Sequence, residues 1–207
     1  ADCEPEVNRS RSLYVPNMSY RAKGDTSGSS ANSRMSVQTG RECFKALTTA
    51  EAVTLVSQPG KVRASLPAGA KMTIDKVETD EAFWHIFRFR FLDGKPFTGA
   101  DVQSGLPRAV IAASVARRLF GRTDVTGQHL ELNHVDFQVC GVVADVSMLA
   151  TDAYAQVWIP YTAGDAEAST WGYNLMGQMR AVILARSADD FPAIREECER
   201  LRQKYND

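Results

Sequence analysis

Hydrophobic and polar positions alternate at the period of a strand through much of this chain, and a long helical stripe appears only at its end. Residues 13–21 read as extended, with Pro16 favouring an edge or irregular strand. Residues 23–33 are Gly- and Ser-rich and read as a mobile loop. Phe44 and Leu47 then sit three apart, a helical spacing. Thr48 precedes Glu51 by three, which predicts a capping box and a second short helix carrying Val53, Leu55 and Val56, stopped by Pro59-Gly60. Residues 62–66 and 72–77 read as two strands around a Pro-Ala-Gly turn.

Asp80 is placed to cap a short helix holding Phe83, Trp84 and Phe87. Phe87, Phe89 and Phe91 alternate with Arg88, Arg90 and Leu92, which predicts a half-buried strand ending at Asp93-Gly94. Residues 109–113 form a buried strand, after which Ser114 is expected to cap a helix that Gly121 ends. Residues 130–132 and 135–139 alternate around Asn133-His134, the pattern of a hairpin. A short strand at 156–159 is stopped by Pro160, and another covers 179–185. Asp189 or Asp190 then opens a helix with Pro192 in its first turn. Its stripe is Phe191, Ile194, Cys198, Leu201 and Tyr205. Glutamates lie toward its start and basic residues toward its end, matching the helix dipole.

Composition narrows the class. The 207 residues carry 24 Lys+Arg against 25 Asp+Glu, a net charge of -1 that gives no reason to expect nucleic acid as a partner. Nine Phe, three Trp and six Tyr can supply a core, so the chain as a whole is not disordered. No apolar run approaches the ~18 residues of a membrane span. The chain starts at Ala1 without a signal peptide, the expectation for a mature protein or an excised domain. Four cysteines are widely scattered and form no CxxC pair. Cys198 falls on the helical stripe and reads as a buried thiol; Cys3 and Cys43 could pair in an oxidising compartment.

Candidate chemistry is sparse. Ser114 lacks the Gly-x-Ser-x-Gly elbow of a hydrolase nucleophile. His129 and His134, with Glu131 and Asp136 nearby, outline either a surface metal site or a solvated hairpin; the need of zinc for three or four preorganised ligands favours the hairpin. His85 sits among aromatics, the setting of an ordinary partly buried histidine. Asp75, Glu78, Asp80 and Glu81 cluster, but read as helix-start and loop charges. Neither Gly-x-Gly-x-x-Gly nor a Walker motif occurs, so this chain cannot hydrolyse ATP by itself. The residues nominate no enzyme, metal or cofactor.

Four stretches carry a family resemblance in order over residues 81–162: EAFWHIFRFRFLDGKPFTGADV, VIAASVARRLFGRTDVTGQHLEL, FQVCGVVADVS and AQVWIPYT. Together they resemble the MacB-like periplasmic core domain of FtsX-type ABC transporter permeases, in a style similar to a Bacteroides-type Gram-negative bacterium. The positions so marked are Phe83, Phe87, Gly94, Phe97, Ser114, Phe120, Gly121, Gly127, Gly141, Asp145 and Pro160, all in scaffold roles.

The resemblance implies an α+β fold: a porter-like mixed α/β lobe at 1–93 and 163–207, with a β-rich Sabre-like lobe inserted at 94–162. It further implies a non-catalytic periplasmic domain of an inner-membrane protein, held between two membrane helices so that both chain ends face one bilayer surface. Such a domain couples cytoplasmic ATP hydrolysis to efflux or mechanotransmission. The implied partners are an ATPase subunit or domain, a second permease copy, and a periplasmic adaptor or outer-membrane protein. The alternative is an FtsX-like regulator that binds a periplasmic cell-wall hydrolase.

Overall fold

The computed structural model describes residues 4–21, 26–27 and 30–207. In chain order its strands and helices are β1 (Ser12–Val15), β2 (Met18–Tyr20), β3 (Ala31–Ser33), α1 (Val37–Gly40), β4 (Ala52–Ser57), β5 (Gly60–Ser65), β6 (Lys71–Thr79), α2 (Phe83–Ile86), β7 (Phe91–Gly94), α3 (Gly99–Ser104), β8 (Arg108–Ala112), α4 (Ala113–Phe120), β9 (His129–Leu132), β10 (Val135–Val143), β11 (Val157–Pro160), β12 (Met179–Leu184) and α5 (Phe191–Asn206). They form a mixed α+β fold in two compact units. One contains the described residues through Val7 together with Pro59–Gly164; the other contains Asn8–Gln58 and Asp165–Asp207.

The first unit is built on a small barrel. Its sheet runs β7-β10-β8-β11-β6-β5-β9, and β9 pairs back onto β10. Six strands therefore close on themselves, while β7 adds to the later half of β10. The nine residues of β10 make this geometry: Val135–Gln138 pair with β9 and Gly141–Val143 with β7, and β8 runs parallel along the opposite edge. Closure removes exposed edges. Ala64, Ile74, Val110, Ile111, Leu130 and Val142 are among the residues it buries completely. Helix α4 follows β8 directly, burying Ala113, Val115, Ala116 and Leu119 on one side and ending at Gly121 with φ +75°.

The second unit has an antiparallel sheet, β1-β12-β4, and a small β2–β3 pair. Helix α1 is capped by Ser36, whose Oγ accepts the Thr39 N–H at 3.0 Å, and runs on into a π-helical turn at Arg41–Lys45. On α5, Ile194 is wholly buried and Glu197 is buried beside it, while Phe191, Cys198, Leu201 and Tyr205 are half-buried.

Several local expectations change. Residues 52–57 are a strand, not a helix. The β-branched Val53, Thr54 and Val56 suit a strand, and burial of every residue from Val53 to Ser57 overrides the capping signal at Thr48 and Glu51. The alternating run from Phe87 does not start a strand; β7 begins at Phe91. Ala31–Ser33, expected in a mobile loop, pair with β2, while residues 23–25 and 28–29 of that loop lie outside the described residues.

Ser114 is not the N-cap of α4, a position held by Ala112. Ala82 holds that position on α2 in place of Asp80. Asp190 makes no side-chain cap; Ser187 caps the preceding turn through the Asp189 N–H. Asp75 and Glu78 lie on β6, and Glu78 and Asp80 are buried rather than loop charges. The two units divide the chain at 58/59 and at 164/165, with β5 and β6 in the barrel.

Candidate functional site

Helix α2 and the residues just after it build an aromatic cluster. The Phe83 ring lies 4.8 Å from Phe87, 5.0 Å from Trp84 and 5.7 Å from Phe89, centroid to centroid. Trp84 meets Phe91, Phe97 and Trp158 edge-on at 5.6–5.8 Å. Phe89 meets Trp158 at 5.1 Å. These are the offset and T-shaped contacts that aromatic quadrupoles prefer. Phe83, Phe87, Phe97 and Trp158 are essentially inaccessible. The Trp158 indole N–H donates to the Ala153 carbonyl at 3.2 Å, so its polar atom is satisfied within the core. The alternation that reads as a strand is thus an aromatic plug inside the first unit.

Two of the marked glycines meet where β7 leaves β10. Gly94 and Gly141 are register partners. A β-carbon on Gly94, where φ is +65°, would lie 2.2 Å from the Cys140 carbonyl oxygen. One on Gly141 would lie 2.6 Å from the Lys95 carbonyl oxygen and 2.7 Å from the Phe91 ring. The β10–β8 register shifts between Val139 and Gly141, a bulge at the same place. Next to it, Asp93 accepts the Thr126 N–H at 3.0 Å; hydrogen bonds from the Thr126 hydroxyl and N–H hold its carboxyl below the ordinary value. Gly127, at φ +91°, donates its N–H to the Val139 carbonyl at 2.8 Å.

Ser114 and Asp145, 31 residues apart, are also brought together. Asp145 Oδ1 accepts the Ser114 backbone N–H at 3.1 Å, supplying from outside the helix the cap that α4 lacks. Pro160 closes β11 opposite Thr79. Phe120 is half-buried at the end of α4 and does not join the aromatic cluster's ring contacts.

Cys43, Cys140 and Cys198 are free thiols, and Cys3 lies outside the described residues. Burial chiefly raises Cys43 and Cys198 to about 11 and Cys140 to about 12, which keeps all three protonated. His129 Nδ1 pairs with Asp136 across the hairpin at 2.8 Å, on the exposed face. His134 sits in the turn with φ +67°. Among the described residues no group of three or more His, Cys, Asp or Glu is placed to hold a metal.

One polar centre escaped the sequence reading. Glu197, buried on α5, accepts both N–H groups and both hydroxyls of Thr48 and Thr49. The hydroxyl bonds are 2.6 and 2.7 Å and the N–H bonds 2.9–3.1 Å. Burial pushes this carboxyl upward, but the four donors outweigh it and hold it at about 2. The signal was present: Glu197 stands three after Ile194 and four before Leu201, a charge on the apolar stripe.

Known proteins resemble this chain along most of its length. The family model described as MacB-like periplasmic core domain matches residues 6–201. A curated relative, the pyoverdine export ATP-binding/permease protein PvdT of Pseudomonas savastanoi pv. phaseolicola, is 31% identical over 130 residues. That match covers 61% of this chain and 19% of the relative, so the chain spans only a fraction of the relative's length.

Among solved structures, the periplasmic region of MacB from Actinobacillus actinomycetemcomitans superposes with a TM-score of 0.69 at 16% identity, covering 95% of this chain and 85% of that one. The extracellular domain of the noncanonic ABC-type transporter YknZ from Gram-positive bacteria gives 0.67 at 15% identity, covering 94% and 95%. Both share the mixed α+β fold.

Proposed function

The chain belongs to the MacB-like periplasmic core domain family, and on that premise we propose that it relays cytoplasmic ATP hydrolysis to an export step outside the membrane. Core domains of this family are non-catalytic periplasmic or extracellular parts of ABC transporter permeases, and this chain is one. The observation that carries the proposal is the family match across both units.

In this reading the unit made of 8–58 and 165–207 is the porter-like lobe, and the barrel unit contains the Sabre-like lobe. The relative's name, an export ATP-binding/permease protein, supports an ATPase as the energy source and export as the outcome. A second permease copy and a periplasmic adaptor or outer-membrane channel complete the assembly. Helix α5, 16 residues and about 24 Å long, belongs to that porter-like lobe.

The test uses the full permease with its ATPase. Cysteine pairs that lock the two lobes together are expected to leave ATP hydrolysis running while export stops, and reduction is expected to restore export. Export that continues unchanged in the locked protein defeats the coupling role. The alternative, control of a cell-wall hydrolase, predicts instead cell-separation defects and recovery of a hydrolase with the domain.

A further inference from the structure

Helix α5 turns one face toward a cavity of about 300 Å³ that lies wholly within the second unit. Arg195, Cys198, Glu199 and Arg202 line it at the i, i+3, i+4 and i+7 spacing of a single helix face. Leu13 and Val15 of β1 and Met18 of β2 also line it, and the buried Phe44 and Ile183 add further apolar surface. Leu13, Val15, Met18 and Cys198 are only half-buried, and the cavity is partly open to solvent. Apolar surface left facing water favours an occupant that removes it from water.

The charges at this cavity do not cancel. Two arginines and one glutamate line it. Arg202 is paired with Glu199, and its hydrogen bond is the chief cause holding the Glu199 carboxyl below the ordinary value. Arg195 is exposed and forms no ion pair among the described residues. Its guanidinium carbon lies 5.7 Å from the centre of the Phe191 ring, a contact that attracts a cation without neutralising it. An apolar interior with one positive charge in excess on its solvent side is complementary to an apolar chain that ends in an anion.

We propose that this cavity binds a free single-chain amphiphile with an anionic head, an alkyl carboxylate. Its chain lies against Leu13, Val15, Met18, Phe44 and Ile183, and its head is held by Arg195. The planar guanidinium can meet both carboxylate oxygens at once. Glu199 repels a head placed at the Arg202 end, which fixes the orientation. The volume is at the lower end for small-molecule sites, room for one short chain rather than the two of a bilayer lipid. The site is independent of the transport reading, since it rests on residues of one unit and their charges.

The test titrates octanoate, kept below its micelle concentration, into the isotope-labelled 207-residue chain and follows the backbone amide signals. Saturable shifts centred on Val15, Phe44, Ile183 and Cys198 are expected. Octylammonium, with the same chain and the opposite charge, is expected to bind about tenfold more weakly or worse. Hexanoate is expected to lose up to about fourfold in affinity for each missing methylene. Arg195→Gln is expected to weaken octanoate about tenfold and to leave neutral octanol unchanged. Arg200→Gln, whose partner Glu196 lies off the cavity, is expected to change neither. Val15→Asp is expected to abolish binding of octanoate and octanol, and Met18→Glu serves if that variant fails to fold. Shifts that do not saturate or centre elsewhere overturn the proposal, as does equal affinity for octylammonium or full octanoate affinity in Arg195→Gln. Binding to anionic vesicles without binding of free octanoate makes a bilayer the occupant. A dimer that Val15→Asp dissociates makes it a second copy of the chain. Either result overturns the proposal.

Discussion

Glu197 and Thr48 are joined twice over: the carboxylate accepts the Thr48 hydroxyl at 2.6 Å and its backbone N–H at 2.9 Å. With Thr49 adding a second hydroxyl and N–H, one buried charge on α5 ties down the residues that lead into β4. A carboxylate satisfied this fully costs little to bury, whereas the same donors left alone inside the protein would be expensive.

Glu197→Ala is therefore expected to lower unfolding stability by about 2–3 kcal/mol, because it orphans the threonine donors. Urea denaturation checks the loss. Thr48→Val is expected to cost less, since the remaining donors still hold the carboxylate.

The same group sets an acid limit. Its folded pKa, about 2, lies below the ordinary value of 4.5, so the folded state binds the proton more weakly than the unfolded state. The resulting stability is present in full above about pH 4.5 and is lost as pH falls toward 2. Denaturation midpoints across this window are expected to fall less steeply in Glu197→Gln than in the wild type. Parallel slopes would show that the carboxylate does not carry the effect.

Glycine substitutions are expected to separate by available space. Gly94→Ala must fit a β-carbon 2.2 Å from the Cys140 carbonyl at positive φ. It is expected to cost several kcal/mol, about 3 or more, by strain and lost β7 pairing. Gly121 also has positive φ, but apart from its own residue and its two chain neighbours nothing lies within 4 Å of where its β-carbon would sit, so Gly121→Ala is expected to cost about 1 kcal/mol. Comparable losses in the two variants would contradict close approach as the reason for Gly94.

Helix α4 offers a paired test. Asp145→Ala removes the acceptor for the Ser114 N–H and is expected to cost about 1 kcal/mol. Ser114→Ala leaves that backbone bond in place and is expected to stay within about 0.5 kcal/mol of wild type. Chemical denaturation of the two variants side by side decides between a cap supplied by Asp145 and one supplied by Ser114.

Much was determined by the sequence itself, because the physics involved is local. Period-two alternation in residues 130–139 and the Asn133-His134 turn specify the β9–β10 hairpin. Gly121 ends α4 because a left-handed residue stops the helix there, and the spacing from Phe191 to Tyr205 is a helix whatever it packs against. The motifs over 81–162 were legible for the same reason: each is a short run with its own turn or packing requirement.

Only the tertiary structure decided the rest. Residues 52–57 follow a helical capping signal at Thr48 and Glu51 and become a strand because β12 pairs with them along their whole length, from Ala52 opposite Leu184 to Ser57 opposite Met179. No local window of sequence contains both strands. Glu197 looks like one more helix charge until Thr48 and Thr49 arrive to satisfy it. Asp145 becomes a cap because the fold brings it to Ser114, 31 residues away in the chain. Local periodicity records which side of an element turns inward; which partner waits there depends on chain closure over long separations, and that information is held only by the folded whole.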